Sequence, residues 1–171
     1  MSPAKKAPGG QRAPRSSSVS RASRRPVVLV LNGPNLDLLG SRQPEIYGRT
    51  TLAQIRRAME KRAGELKLGL EFVQSNAESD LIEVLHAARG RAAAVIMNPG
   101  AFTHYSYALR DAAEATELPL YEVHISNIYA REEFRRHSVI SPVAAGVVCG
   151  LGPDGYLAAL EAAARGIKGR R

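Results

Sequence analysis

Five short apolar runs, separated by stretches of helical periodicity, constrain this chain more than any other feature. Val27–Leu31 (VVLVL), Leu70–Gln74 (LEFVQ), Ala92–Met97, Pro119–Ile125 and Val143–Val148 each read as a strand. Ala92–Met97 contains no polar residue, as expected of a strand covered on both faces. Between them, Leu52, Ile55, Met59, Ala63 and Leu66 recur at spacings of three and four behind a capping threonine, Thr50 or Thr51. A second helix runs through Leu81, Ile82, Val84, Leu85 and Ala88. A third is predicted to start at Thr103 and to contain Tyr107, Leu109 and Ala112. Arg131–Arg136 reads as a short charged helix or turn, and a final helix covers Tyr156–Ala164 with Pro153 near its start. Strand alternating with helix in this way predicts a parallel sheet with right-handed crossovers, a three-layer α/β domain of flavodoxin-like kind with five parallel strands.

Length and charge set the domain plan. At 171 residues and 44% apolar content the chain suits one domain with a substantial core. Residues 1–25 carry Lys5, Lys6, Arg12, Arg15, Arg21, Arg24 and Arg25, no acid and no apolar periodicity, so a disordered basic extension is expected there. Residues 26–165 form the expected catalytic domain, and 166–171 a basic tail. The two ends supply the positive charge, which leaves the body between them slightly acidic. Solvated extension, nucleic-acid contact and organelle transit peptide are the readings open to residues 1–25; the first is preferred, and nucleic acid is not expected as a partner. No apolar run reaches the roughly 18 residues a bilayer span needs, so no membrane partner and a soluble cytoplasmic protein are expected. The single cysteine, Cys149, can form neither an internal disulfide nor a thiolate metal site.

In a parallel sheet, segments that follow the strands open on one edge, where α/β folds bind ligands. After the first strand come Asn35 and a glycine-flanked loop, Gly40–Gly48, holding Arg42 and Tyr47, the composition of a catalytic lid. After the third lie Asn98 and His104; at and beyond the fourth lie His124, Ser126 and Arg135. Glu122 and His124 are two apart, so they leave the same face of a strand and the carboxylate can orient the imidazole. This is acid–base equipment without a metal: no HxH, HExxH or cysteine pair supports His104 or His124 as ligands.

Plainer readings stand beside these. Tyr47 can be a loop anchor, Asn98 a turn cap, and His104 a histidine in a helix's first turn that the dipole keeps neutral. Ser126 can be a turn former whose N–H, with that of Ile125, is free to hold a carboxylate. Arg135 and Arg136 are not separable by spacing, and Asp111 faces solvent or a subunit contact. Gly150–Gly155 (GLGPDG) matches the dinucleotide fingerprint, but too little chain follows it for a βαβ unit, and it reads as a tight turn.

Five blocks carry a likeness to a known family: NGPNLDLLGSRQPEIYG (32–48), QSNAESDLIEVLH (74–86), NPGAFTHYSYALRDA (98–112), EVHISNIYAREEFRRHS (122–138) and GLGPDGYLAAL (150–160). Together they resemble type II 3-dehydroquinate dehydratase, in the family's order, over residues 26–165. The resemblance implies dehydration of 3-dehydroquinate to 3-dehydroshikimate, without cofactor or Schiff base, by anti elimination through an enolate. It implies Tyr47 as base, His124 as acid, Arg42 as the cation that lowers the tyrosine pKa, and Asn35 as holder of a water that supports the enolate. It implies substrate binding by Asn98, His104, Ile125, Ser126 and Arg135, with Asp111 supplied from a neighbouring subunit of a homododecamer built from trimers. Asp37, Ser41 and Tyr105 depart from the residues common in the family. The rival from another class is a flavodoxin-like binding module that holds a nucleotide or flavin without chemistry.

Overall fold

The computed structural model describes residues 25–41 and 48–170. The extension expected over residues 1–25 therefore lies, but for Arg25, outside the described residues, as do Arg42 and Tyr47. The strands are β1 (Val27–Asn32), β2 (Gly69–Gln74), β3 (Ala94–Asn98), β4 (Leu120–His124) and β5 (Gly146–Cys149). The helices are α1 (Leu52–Glu65), α2 (Glu78–Ala88), α3 (Tyr107–Ala115) and α4 (Asp154–Gly169). All strand pairs are parallel, in the order β2-β1-β3-β4-β5. This is the flavodoxin-like three-layer fold that the alternation predicts.

Strand periodicity divides the core. Val28 and Val30 of β1, Ala94 and Ile96 of β3, and Val123 of β4 face α1 and α4, meeting Ile55, Met59, Tyr156, Leu160 and Ala163. Leu29 and Leu31 of β1 with Val95 and Met97 of β3 point the other way, onto Leu81 and Leu85 of α2 and Leu109 and Ala112 of α3. β1 is buried on both faces from Val28 onward, which explains its unbroken apolar run. Thr51 is the cap of α1: its hydroxyl accepts from the Gln54 N–H while the Gln54 side chain accepts from the Thr51 N–H, a complete capping box.

Three boundaries differ from the sequence reading. The helix expected from Thr103 is broken: Gly100–His104 is a 3-10 turn, and α3 starts at Tyr107 because the Ser106 hydroxyl accepts from the Leu109 N–H and caps a new helix there. His104 thus ends a tight turn and does not sit over a helix N-terminus. The strand expected from Val143 begins at Gly146, since Ser141–Val143 forms a 3-10 turn around Pro142, which has no N–H to give a ladder. The last helix runs past Ala164 to Gly169, drawn on by the buried Ile167, so most of the expected basic tail is helical.

Strand order reverses between β1 and β3, and at that switch point two turns pack back to back. The Gly33 N–H donates to the Asn98 carbonyl at 2.8 Å, and a Cβ on Gly33 would stand 2.3 Å from the Pro99 carbonyl oxygen. Gly100 has a left-handed backbone at φ 57°, and a Cβ there would stand 3.2 Å from Pro34. Only glycine lets the two backbones approach this far. GLGPDG is the turn from β5 into α4, and among the described residues no strand follows it.

Candidate active site

The carboxyl edge at the switch point holds a cleft of about 120 Å³. Its walls come from the turn after β1 (Asn35, Leu36, Leu39), the turn after β3 (Asn98, Gly100, His104), the end of β4 (His124, Ile125, Ser126) and the following loop (Arg131, Arg135). Seven of the residues singled out from sequence therefore meet in one place: Asn35, Asn98, His104, His124, Ile125, Ser126 and Arg135. Asp111 lies outside it, exposed on α3.

His124 ends β4 and Glu122 stands beneath it. The imidazole Nε2 is 2.8 Å from Glu122 Oε1, with the carboxylate fully buried and the ring 6% exposed. Thr103, Ser138 and Ser141 also turn their hydroxyls onto this carboxylate. A carboxylate offers about four lone-pair sites, so these groups fill it. Burial alone pushes the Glu122 carboxyl up, but the hydrogen bond and charge of His124, with the Ser141 and Thr103 hydroxyls, outweigh it and hold the group below its ordinary range. An ionised Glu122 accepts only, so Nε2 carries the proton. Neutral His124 then keeps its lone pair on Nδ1, and the imidazolium presents Nδ1–H, a nitrogen without a partner among the described residues.

His104 is set in the opposite sense. Its Nδ1 lies 2.7 Å from the His137 carbonyl, which can only accept, so Nδ1 is the protonated nitrogen and Nε2 has the lone pair. Burial pushes the His104 pKa down, and the nearby Arg135 and His124 charges add to this against the His137 hydrogen bond. The ring is thus held neutral by desolvation, not by a helix dipole.

Asn98 both caps and faces the cleft. Its Oδ1 accepts from the Gly100 N–H at 3.2 Å and its Nδ2 donates to the Tyr156 phenol at 3.0 Å, which leaves one amide proton uncommitted among the described residues. The phenol donates onward to Asn32 Oδ1 at 2.7 Å, tying together the terminal residues of β1 and β3, which are paired in register. Tyr156 is fully buried, and burial pushes its pKa up. Asn35 holds a left-handed backbone at φ 65°, its N–H donating to Asn76 Oδ1 at 2.8 Å, and its side chain caps nothing.

Past β4, the N–H groups of Ile125 and Ser126 have no acceptor among the described residues. Beside them, Arg135 reaches the cleft from the 3-10 turn Glu133–Arg136, while Arg136 is exposed and does not. Arg135 donates to Glu132 at 2.8 Å and lies 4.7 Å over the Phe134 ring, whose edge-on neighbour is His104 at 5.6 Å. Unspent N–H groups thus lie beside two guanidinium groups, Arg131 and Arg135, which share the exposed Glu132 carboxylate at 3.5 and 2.8 Å; such groups are the donors that anion sites use.

Sequence reasoning missed several of these residues. Arg131 lines the cleft and donates to the Ser126 hydroxyl at 3.3 Å, but nothing in the charged run from Arg131 to Arg136 distinguishes it. Thr103, Ser138 and Ser141 had an indirect signal: a glutamate inside an apolar strand must find buried donors. Tyr156 had none beyond its place in a helix.

The family described as Dehydroquinase class II matches residues 26–164. A 3-dehydroquinate dehydratase of Pelotomaculum thermopropionicum is 57% identical over 137 residues, covering 80% of this chain and 95% of its own. One from Edwardsiella ictaluri is 54% identical over 136 residues, covering 80% of this chain and 91% of its own. Among solved structures, the type II dehydroquinase of Butyrivibrio crossotus superposes with a TM-score of 0.80 at 38% identity, covering 81% of this chain and 97% of that one. That of Propionibacterium acnes gives 0.78 at 44% identity, over 81% and 96%. With the matched residues spanning all five strands and the cleft between them, this chain belongs to the class II dehydroquinase family.

Proposed function

We propose that this protein is a cofactor-independent hydro-lyase that converts 3-dehydroquinate to 3-dehydroshikimate, a step of the shikimate route to aromatic amino acids. The observation that carries the reading is the buried Glu122–His124 pair opening on a cleft that also bears Arg131, Arg135 and unspent backbone N–H groups.

The chemistry asks for one base, one acid and a stabilised enolate. The Tyr47 phenolate takes a proton from the carbon beside the ketone, and that electron pair moves onto the ketone oxygen. The enolate then collapses and expels the β-hydroxyl, which leaves as water with the Nδ1 proton of His124. Tyr47 ends as phenol and His124 as neutral imidazole; a proton returned from the first to the second resets the site. A free phenol near pKa 10 requires about 4 kcal/mol to be half ionised at neutral pH, and Arg42 is assigned that role. Asn35 holds the water that stabilises the enolate. The substrate carboxylate is assigned to the N–H groups of Ile125 and Ser126 and to Arg135. Its hydroxyls go to Asn98 and to Nε2 of His104. Asp111, exposed on its own subunit, serves a neighbouring site in a cytoplasmic homododecamer.

Adding 3-dehydroquinate to the purified protein is expected to raise ultraviolet absorbance as the conjugated enone forms, with full activity surviving borohydride treatment in the presence of substrate. Tyr47→Phe is expected to lower turnover by orders of magnitude with binding largely kept. Absence of enone, or borohydride inactivation through a lysine imine, overturns the proposal.

A further inference from the structure

Both cleft histidines are held from behind by one short segment. His137 offers its carbonyl to Nδ1 of His104 at 2.7 Å. The next residue, Ser138, lies 2.9 and 3.1 Å from the two oxygens of Glu122, the partner of His124. Its Oγ also accepts from the N–H groups of Ile140 at 3.1 Å and Ser141 at 2.9 Å, and stands 2.7 Å from the Thr103 hydroxyl. The Val139 N–H donates to the Thr103 carbonyl at 2.8 Å, one residue before His104. Val139 and Ile140 are buried in the core cluster under α3, and Ser141 closes on Glu122 again.

We propose that His137–Ser141 is a strap that fixes the orientation and tautomer of both cleft imidazoles, with Ser138 as its central positioning residue. The geometry excludes a merely decorative role. Glu122 has four partners, and three are hydroxyls whose only protons point inward; two of those, Ser138 and Ser141, belong to the strap. Losing Ser138 frees the carboxylate to rotate and so releases Nε2 of His124. It also unties the turn whose first carbonyl holds His104. The two rings are therefore coupled through main chain, not through contact with each other. This inference rests on the reading of His124 as the acid only in its kinetic consequence; its structural content stands without it.

The test uses the full chain labelled with 15N-histidine, without substrate. Ring 15N shifts of the native protein are expected to report the Nε2–H tautomer for His124 and the Nδ1–H tautomer for His104. In Ser138→Ala both rings are expected to become tautomer mixtures, and kcat to fall about ten- to a hundredfold, short of the 10²–10⁴ that complete loss of a general acid costs. Ser141→Ala, which spares the strap's backbone bonds, is expected to disturb His124 alone. Should Ser138→Ala fail to fold, Ser141→Ala decides. An unchanged His124 tautomer in whichever variant folds, an unchanged His104 tautomer in a folded Ser138→Ala, or a folded Ser138→Ala with kcat within twofold of native, overturns the strap. Native turnover in His124→Ala overturns the acid assignment instead, and the ring shifts then still decide the strap.

Discussion

Nε2 of His124 lies 2.8 Å from Oε1 of Glu122, and three hydroxyls hold the carboxylate on its other sides. The pair fixes which ring nitrogen is held by the carboxylate and which is left toward the cleft. Glu122→Gln keeps the shape and removes the charge. A glutamine side chain can donate as well as accept, so it no longer fixes Nε2 as the protonated nitrogen, and kcat is expected to fall about tenfold or more. Steady-state kinetics check this; kcat within twofold of native would mean that Glu122 does not orient His124.

His104 supplies a second titration. Its folded pKa is lowered, chiefly by burial, from an ordinary 6.5. The unfolded chain therefore binds the proton better in the window just below 6.5. Stability associated with neutral His104 is present above 6.5 and is lost as pH falls through the folded value. NMR titration of the His104 ring is expected to give a midpoint below 6.5; a midpoint at or above it contradicts the geometry described.

The Tyr156 hydroxyl bridges two buried asparagines at 2.7 and 3.0 Å. Tyr156→Phe leaves both amides short of a partner, a loss of about 1–3 kcal/mol in unfolding free energy. Because Asn98 faces the cleft, KM is expected to rise as well. Urea denaturation with steady-state kinetics separates the two effects.

Lys67, just past α1, is exposed and held at φ 62°, with the Leu68 N–H closing on the Ala63 carbonyl at 2.8 Å. This is a left-handed helix end occupied by a residue with a Cβ. Lys67→Gly relieves that strain and is expected to raise stability by up to about 1 kcal/mol, read from the denaturation midpoint, with activity unchanged.

The fold was legible because its signals are local. The unbroken β1 run and the three-and-four spacing of Ile55, Met59 and Ala63 each encode their own element. The Glu122–His124 pair was legible for the same reason, since a spacing of two fixes a shared strand face. What stayed hidden depends on partners distant in sequence. Tyr156 meets Asn32 across 124 residues. Arg135 and Arg136 carry the same charge, and only the pitch of a 3-10 turn aims the first at the cleft. The break before α3 was missed because apolar spacing continues through Ser106, whose hydroxyl ends one turn and starts the next.

The central claim is that the imidazole of His124 hands its Nδ1 proton to a departing hydroxyl. The most direct measurement is the rate of enone appearance from 3-dehydroquinate in His124→Ala, with substrate affinity measured calorimetrically on the same protein. A fall of 10²–10⁴ in kcat at near-native affinity is expected; turnover within about threefold of native would contradict the account.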